Sequence, residues 1–293
     1  MNTKTFSKSV SIDTIDKRKN LSRRELIEEY VIPGIPVVLC DGTKDWKAMG
    51  KLTPPYFKSK YGALVKEVKG KAYSIADFVD LMLSSTENSP APYPFNLNVE
   101  EYFPELLEDF KPEILYAKSN RVHHPLLPKF MLKGTEVYEL FFGGKGSSFP
   151  FLHIDALFLH TQITQIYGSK EFILYPPEQS EFMYPRKDNP KLSHVDPIHP
   201  DFEKFPLFKN AKPIRVMVHP GETILFPTGW WHSTQMYEPC ISLGRIQLNA
   251  ANWDAFVGDN YELWKKYKPL LAKPALVYSK MLGGLMNLQE KFM

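Results

Sequence analysis

Two side chains able to ligate a metal stand two residues apart in the apolar run 149–158: His153 and Asp155. On an extended strand, residues i and i+2 project to the same face, so the two would point together while Leu152 and Ile154 pack behind them. A carboxylate in such a run is costly to bury alone, and a cation shared with the histidine removes that cost. His232 supplies a third donor, 77 residues after Asp155, in the segment Gly229, Trp230, Trp231, His232. It follows Pro220, Gly221 and Glu222 and a strand-like run over 223–227. Two histidines and one carboxylate on one side of a metal leave the other positions open, the donor set of a non-haem iron(II) site.

The motif has decoys and bland alternatives. His194 with Asp196, and His199 with Asp201, repeat the His-x-Asp spacing, but in a polar, proline-rich stretch without strand alternation. There the aspartates are expected to cap local turns. For His153 and Asp155 the alternative is a mutual hydrogen bond in the core, and for His232 an aromatic-flanked core histidine. The downstream segment favours the metal. A zinc hydrolase is the other metal reading, but the helical His-Glu-x-x-His spacing is absent. His160 falls on the opposite face by parity, and His123, His124 and His219 look like turn residues.

These side chains need a rigid frame. From 149 to 249 the chain reads as short strands and turns, as in an all-β barrel or sandwich. Strands are expected over 161–166, 170–175, 214–218, 223–226, 231–236 and 240–248, with a proline- and charge-rich insertion at 176–213. Upstream, Ser22 and Glu25 have capping-box spacing and Ser74 opens a second helix with Asp77. Strands are expected over 37–40, 64–68, 114–117 and 136–142. A third helix starts near Thr53, Pro54 and Pro55, residues 84–98 read as a loop, and the glycine-rich 143–148 reads as a flexible hairpin loop. Residues 261–267 and 274–292 look helical, the latter too apolar for a free surface helix. Three regions are expected: 1–110 packed on the barrel, 111–250 the barrel, and 251–293 helices that pack on it or on a second subunit.

Composition limits the function classes. The 293 residues are 43% hydrophobic and 14% aromatic, enough for a large core, and the net charge of +3 implies no broad nucleic-acid face. Two cysteines, Cys40 and Cys240, argue against a disulfide scaffold or a cysteine-rich zinc site. No stretch reaches the length of a membrane span and the N-terminus lacks a signal-like apolar core, so a cytoplasmic setting without a membrane partner is expected.

Taken together, His153 and Asp155, Gly168-Ser169-Lys170 with the following Ile173 to Pro177, and Pro220-Gly221-Glu222 with Gly229 to His232 resemble the JmjC, or cupin-like, iron(II)- and 2-oxoglutarate-dependent oxygenases. The entry segment 30–39 is similar too, and the stretch 202–208 and the Trp230, Trp231, His232 run resemble the asparaginyl hydroxylases within that family. The resemblance covers about residues 20–250. It implies a mainly β fold with flanking helices, a double-stranded β-helix. It implies iron(II) held by His153, Asp155 and His232, with 2-oxoglutarate and O2 as co-substrates. Lys170 would grip the distal carboxylate of 2-oxoglutarate, Tyr116 would assist it, and Thr161 would add a polar contact from the second barrel strand. Pro150 stands where the family often has threonine or serine, and Ile246 where it often has asparagine. The implied activity is hydroxylation of a protein or peptide side chain, with a homodimer formed through the C-terminal helices. An oxygenase acting on a small molecule or RNA base, and an inactive cupin used for binding, are the alternatives.

Overall fold

The computed structural model describes residues 12–114, 120–133, 135 and 137–290. Twelve strands are present among them: β1 (Asp16–Arg18), β2 (Val37–Leu39), β3 (Val65–Val68), β4 (Lys71–Ser74), β5 (Phe95–Asn98), β6 (Tyr138–Gly143), β7 (His160–Tyr167), β8 (Lys170–Tyr175), β9 (Ile214–Val218), β10 (Thr223–Phe226), β11 (Trp231–Gln235) and β12 (Cys240–Gln247). The larger sheet runs β1-β2-β10-β7-β12-β6-β5, the smaller runs β11-β8-β9, and β3-β4 is a separate hairpin. Val38, Ile224 and Phe226 of the larger sheet meet Phe172, Leu174 and Val216 of the smaller in one apolar cluster. The result is a mainly β double-stranded β-helix with flanking helices.

Alternation along the strands sets up two environments at once. On β6, Leu140 and Phe142 face an outer core with Phe95 and Leu97 of β5. Their neighbours Glu139 and Phe141 line the barrel cavity, as do Thr161 and Ile163 of β7 and Ile246 of β12. This is the period of two imposed by the pleat on a sheet covered on both faces. β1, β2 and β5, from the segment expected to pack on the barrel, are hydrogen-bonded strands of its larger sheet.

The helices are α1 (Arg23–Glu25), α2 (Pro54–Tyr61), α3 (Ile75–Leu83), α4 (Val99–Tyr102), α5 (Trp253–Tyr267) and α6 (Pro269–Glu290). Ser22 and Glu25 form the expected capping box, with reciprocal bonds of 2.8 and 3.2 Å. The helix it opens continues as a π turn, Leu26–Val31. Ser74 caps α3 through the Asp77 amide, and Thr53 caps α2. The two C-terminal helices start earlier than expected and are joined by a single residue, Lys268. Trp253, Phe256, Leu282 and Met286 pack them onto Val122, Leu157 and Leu248.

Two expectations change and a third is untested. The loop at 84–98 contains β5, where Asn96 and Asn98 disfavour a strand and pairing with β6 recruits it. The segment 143–148 is neither a hairpin nor loose. The Gly146 amide donates to Met236 O, Ser85 Oγ donates to Lys145 O, and a Cβ on Gly144 would meet that of Ser85 at 2.4 Å. Glycine is required there for close approach rather than for freedom. The strand expected at 114–117 lies almost wholly outside the described residues.

Candidate active site

His153 lies in no extended strand. It forms isolated bridges to His232 on one side and Leu192 on the other. The His153 amide donates to His232 O at 3.1 Å and the His232 amide returns the bond to His153 O at 2.9 Å. Across the chain, Ile154 N donates to Lys191 O and Ser193 N to Leu152 O. The insertion at 176–213 therefore supplies a second backbone rail. It is anchored by Met183, Val195, Phe205 and Phe208 packing on Leu152, Tyr175 and Trp231. After Asp155 the chain turns through a 3-10 segment, Ala156–Phe158, with Leu157 and Phe158 at φ of 56° and 51°. That turn, not strand parity, sends His160 out of the cavity and Thr161 into it.

One ligand atom from each of His153, Asp155 and His232 lies within 4.8 Å of the others. The Asp155 Oδ1 atom is 3.9 Å from His153 Nε2 and 3.7 Å from His232 Nε2. His232 Nδ1 donates to Trp230 O at 3.1 Å, leaving its Nε2 lone pair for a metal. Burial, with His232 alongside, pushes His153 down to about 3 against the pull of Asp155, so its imidazole is neutral at physiological pH, as ligation requires. The Thr161 hydroxyl donates to Asp155 Oδ2 and leaves Oδ1 facing the histidines. Phe149 covers the His153 ring at 4.3 Å between centroids and Phe226 the His232 ring at 4.5 Å.

The same cavity, about 210 Å³, is lined by Lys170. Lys170 is 1% exposed. Its Nζ donates to Tyr93 Oη at 3.2 Å and to Ser242 Oγ at 2.5 Å, and Ser242 donates on to Gln165 Oε1 at 2.8 Å. Burial works to lower its pKa, whereas Tyr93 and Cys240, once ionised above neutral pH, raise it, and the net shift is upward. Burial also holds the Tyr93 phenol and the Cys240 thiol above their ordinary values. At neutral pH both are uncharged, and no carboxylate among the described residues pairs with Lys170. The buried ammonium faces the cavity with only neutral partners, so a ligand carboxylate is its missing counter-charge. Such a set fits a metal at one end and an anionic chelator reaching Lys170 at the other.

His153, Asp155, His232, Lys170 and Thr161 thus line one cavity. Thr161, expected to contact the co-substrate, lines the cavity and donates its hydroxyl proton to Asp155. Tyr116 lies outside the described residues. Pro150 is exposed, and the hydroxyls near Lys170 come from Tyr93, Ser242 and Thr234. Sequence reasoning missed these three, although Ser242 and Thr234 share strand parity with other cavity residues, a usable signal. Tyr93, in the proline-rich stretch, carries none. Of the decoys, Asp196 Oδ1 accepts from Ile198 N at 2.8 Å and Asp201 Oδ1 from Lys204 N at 3.0 Å, the local turns expected of them.

The chain is similar to known proteins. Residues 64–245 match the cupin-like domain. The chain is 25% identical over 250 residues to the lysine-specific demethylase JMJ21 of Arabidopsis thaliana, covering 82% of this chain and 26% of that protein. It is 26% identical over 285 residues to the arginine-specific demethylase JMJ20 of Arabidopsis thaliana, covering 85% and 59%. It is 28% identical over 236 residues to JmjC domain-containing protein 8 of Rattus norvegicus, covering 75% and 77%. The chain thus spans less than two thirds of the first two relatives, and none of the three is named for asparagine hydroxylation. With more than half its length matched and the cavity built as described, this chain belongs to the cupin-like domain family, of the JmjC type.

Proposed function

We propose that this protein is an iron(II)- and 2-oxoglutarate-dependent dioxygenase that hydroxylates a protein or peptide side chain. The observation that carries the reading is the buried Lys170 ammonium, without a carboxylate partner among the described residues, in the cavity that holds the His153, Asp155 and His232 donors. Iron(II) bound there with 2-oxoglutarate and O2 supplies oxidative decarboxylation to succinate and CO2 and insertion of one oxygen atom into a C–H bond. His153, Asp155 and His232 hold the metal on one side. Lys170 pairs with the distal carboxylate by a charge-assisted bond, and Tyr93 and Ser242 direct its ammonium. Thr161 keeps Asp155 oriented. Phe149 and Phe226 exclude water from the ligand side.

Relatives named as lysine- and arginine-specific demethylases support a protein side chain as the substrate. Hydroxylation of an N-methyl carbon, followed by loss of formaldehyde, is the same chemistry on another C–H bond. The test is succinate formation by the pure chain with iron(II), ascorbate and 2-oxoglutarate, beside His153→Ala and His232→Ala, with binding of 2-oxoglutarate to the manganese(II)-loaded chain measured in parallel by calorimetry. Turnover and metal-dependent binding lost in both variants is the expected result. Absence of metal-dependent 2-oxoglutarate binding in the wild type would overturn the reading.

A further inference from the structure

We propose that the α5–α6 corner is a docking surface for an anionic lipid bilayer. Its centre is apolar and open. Leu270 is 91% exposed, Tyr267 68% and Phe130 61%. Monomeric proteins rarely leave so many large apolar side chains together in water without a use. Beside them lies a cavity of about 500 Å³, larger than the metal cavity, walled by Phe130, Leu263, Trp264 and Leu271. A space of that size accepts a flexible apolar chain.

Charge selects the occupant. Lys133 and Lys268 line the cavity, and no acidic residue among the described ones does. Between 261 and 289 the chain carries five lysines (265, 266, 268, 273 and 280) and one acid, Glu262, which pairs with Lys265. All five lysines are exposed. Exposed apolar side chains beside exposed lysines, here called the collar, are the pattern of a helix lying in a membrane interface. A second copy is the rival occupant, but an isologous pairing would set the collar against itself. An anionic headgroup layer neutralises the collar while its acyl chains receive the apolar centre. Among the described residues no helix is long and apolar enough to cross a membrane, so the corner rests on the surface.

The test is co-sedimentation of the full chain with vesicles of phosphatidylcholine alone, or with about a third phosphatidylserine, at low and high salt. Each lysine near an anionic surface is worth about fivefold in affinity. Partition onto the serine-containing vesicles should therefore exceed that onto phosphatidylcholine by about tenfold or more, and high salt should abolish the difference. Lys266→Glu with Lys268→Glu should lose it at low salt, and Leu270→Glu with Leu271→Glu should reduce binding to both vesicles while circular dichroism is unchanged. Equal partition onto the two vesicles, or none onto either, would overturn the proposal. So would a dimer in sedimentation velocity that Leu270→Glu dissociates, without vesicle binding, since a second copy would then cover the face.

Discussion

Lys170 separates ligand binding from stability. A buried cation without a counter-ion burdens the folded state, and replacing it by an apolar side chain of similar length removes that burden. Lys170→Met should therefore unfold at the same urea concentration as the wild type or a higher one, while 2-oxoglutarate binding, read by calorimetry, weakens about ten- to a hundredfold. A structural lysine would give the reverse pair of results. His160 is the second informative residue. Burial pushes it down to about 3 from an ordinary 6.5, although a hydrogen bond with Asn249 pulls the other way. Its Nδ1 accepts from the Thr228 amide at 2.9 Å, which requires the neutral ring. The unfolded chain therefore binds a proton below 6.5 that the folded chain refuses until about 3, and stability is lost as pH falls through that window. His160→Asn keeps an acceptor near the Nδ1 position without titrating. Its stability deficit at pH 7 should shrink by about 2 kcal/mol at pH 5, measured by urea titrations at both values.

At the scale of elements, β7 carries Thr161 in the larger sheet and β8 carries Lys170 in the smaller one, and the turn that passes the chain between the sheets holds Gly168 at a φ of +62°. A Cβ there would stand 2.1 Å from Pro239 O. Gly168→Ala should lower stability by about 3 kcal/mol, seen as a lower urea midpoint at unchanged slope. The two strands and their turn were legible in the sequence because their signals are local: alternating apolar residues, a glycine turn, then a lysine. The capping box at Ser22 and the cap at Ser74 were legible for the same reason. The pairing of β7 and β8 was not: the sequence reads as a hairpin, but β7 pairs with β10 and β12 and β8 with β9 and β11, partners supplied by distant segments. The ligand segment was not. Its side chains were identified from their types, but its geometry depends on backbone bonds to Lys191, Ser193 and His232, far away in sequence. Tyr93 was missed likewise, since its contact with Lys170 spans 77 residues and no pattern near Tyr93 announces it.

Across the whole molecule, one buried residue ties the C-terminal helices to the barrel. Arg121 donates to both Glu290 carboxylate oxygens, at 2.7 and 2.8 Å, and to Asn287 Oδ1, at 2.6 Å, with its guanidinium 5.4 Å over the Trp253 ring. Glu290→Ala leaves that charge buried with one polar partner fewer, a loss of about 3 kcal/mol. Amide hydrogen exchange should rise along 269–290, while 2-oxoglutarate binding in the barrel stays within about twofold, because sites this far apart add nearly independently. The apolar excess of α6 was legible in composition, whereas Arg121 as its anchor was not, because arginine in sequence reads as surface.

The two backbone rails around His153 also bear on which metal the protein ends up with. Thermodynamic preference among divalent ions rises from manganese through iron to copper for almost any nitrogen and oxygen donor set. A segment hydrogen-bonded to β11 on one side and to the insertion on the other holds the His153 backbone in place. A metal taken up there would exchange slowly wherever its release required that segment to open, and occupancy would then follow the order of arrival. The ion abundant when the insertion closes over Leu152 would be kept, and a wrong one corrected only as fast as that closure reopens.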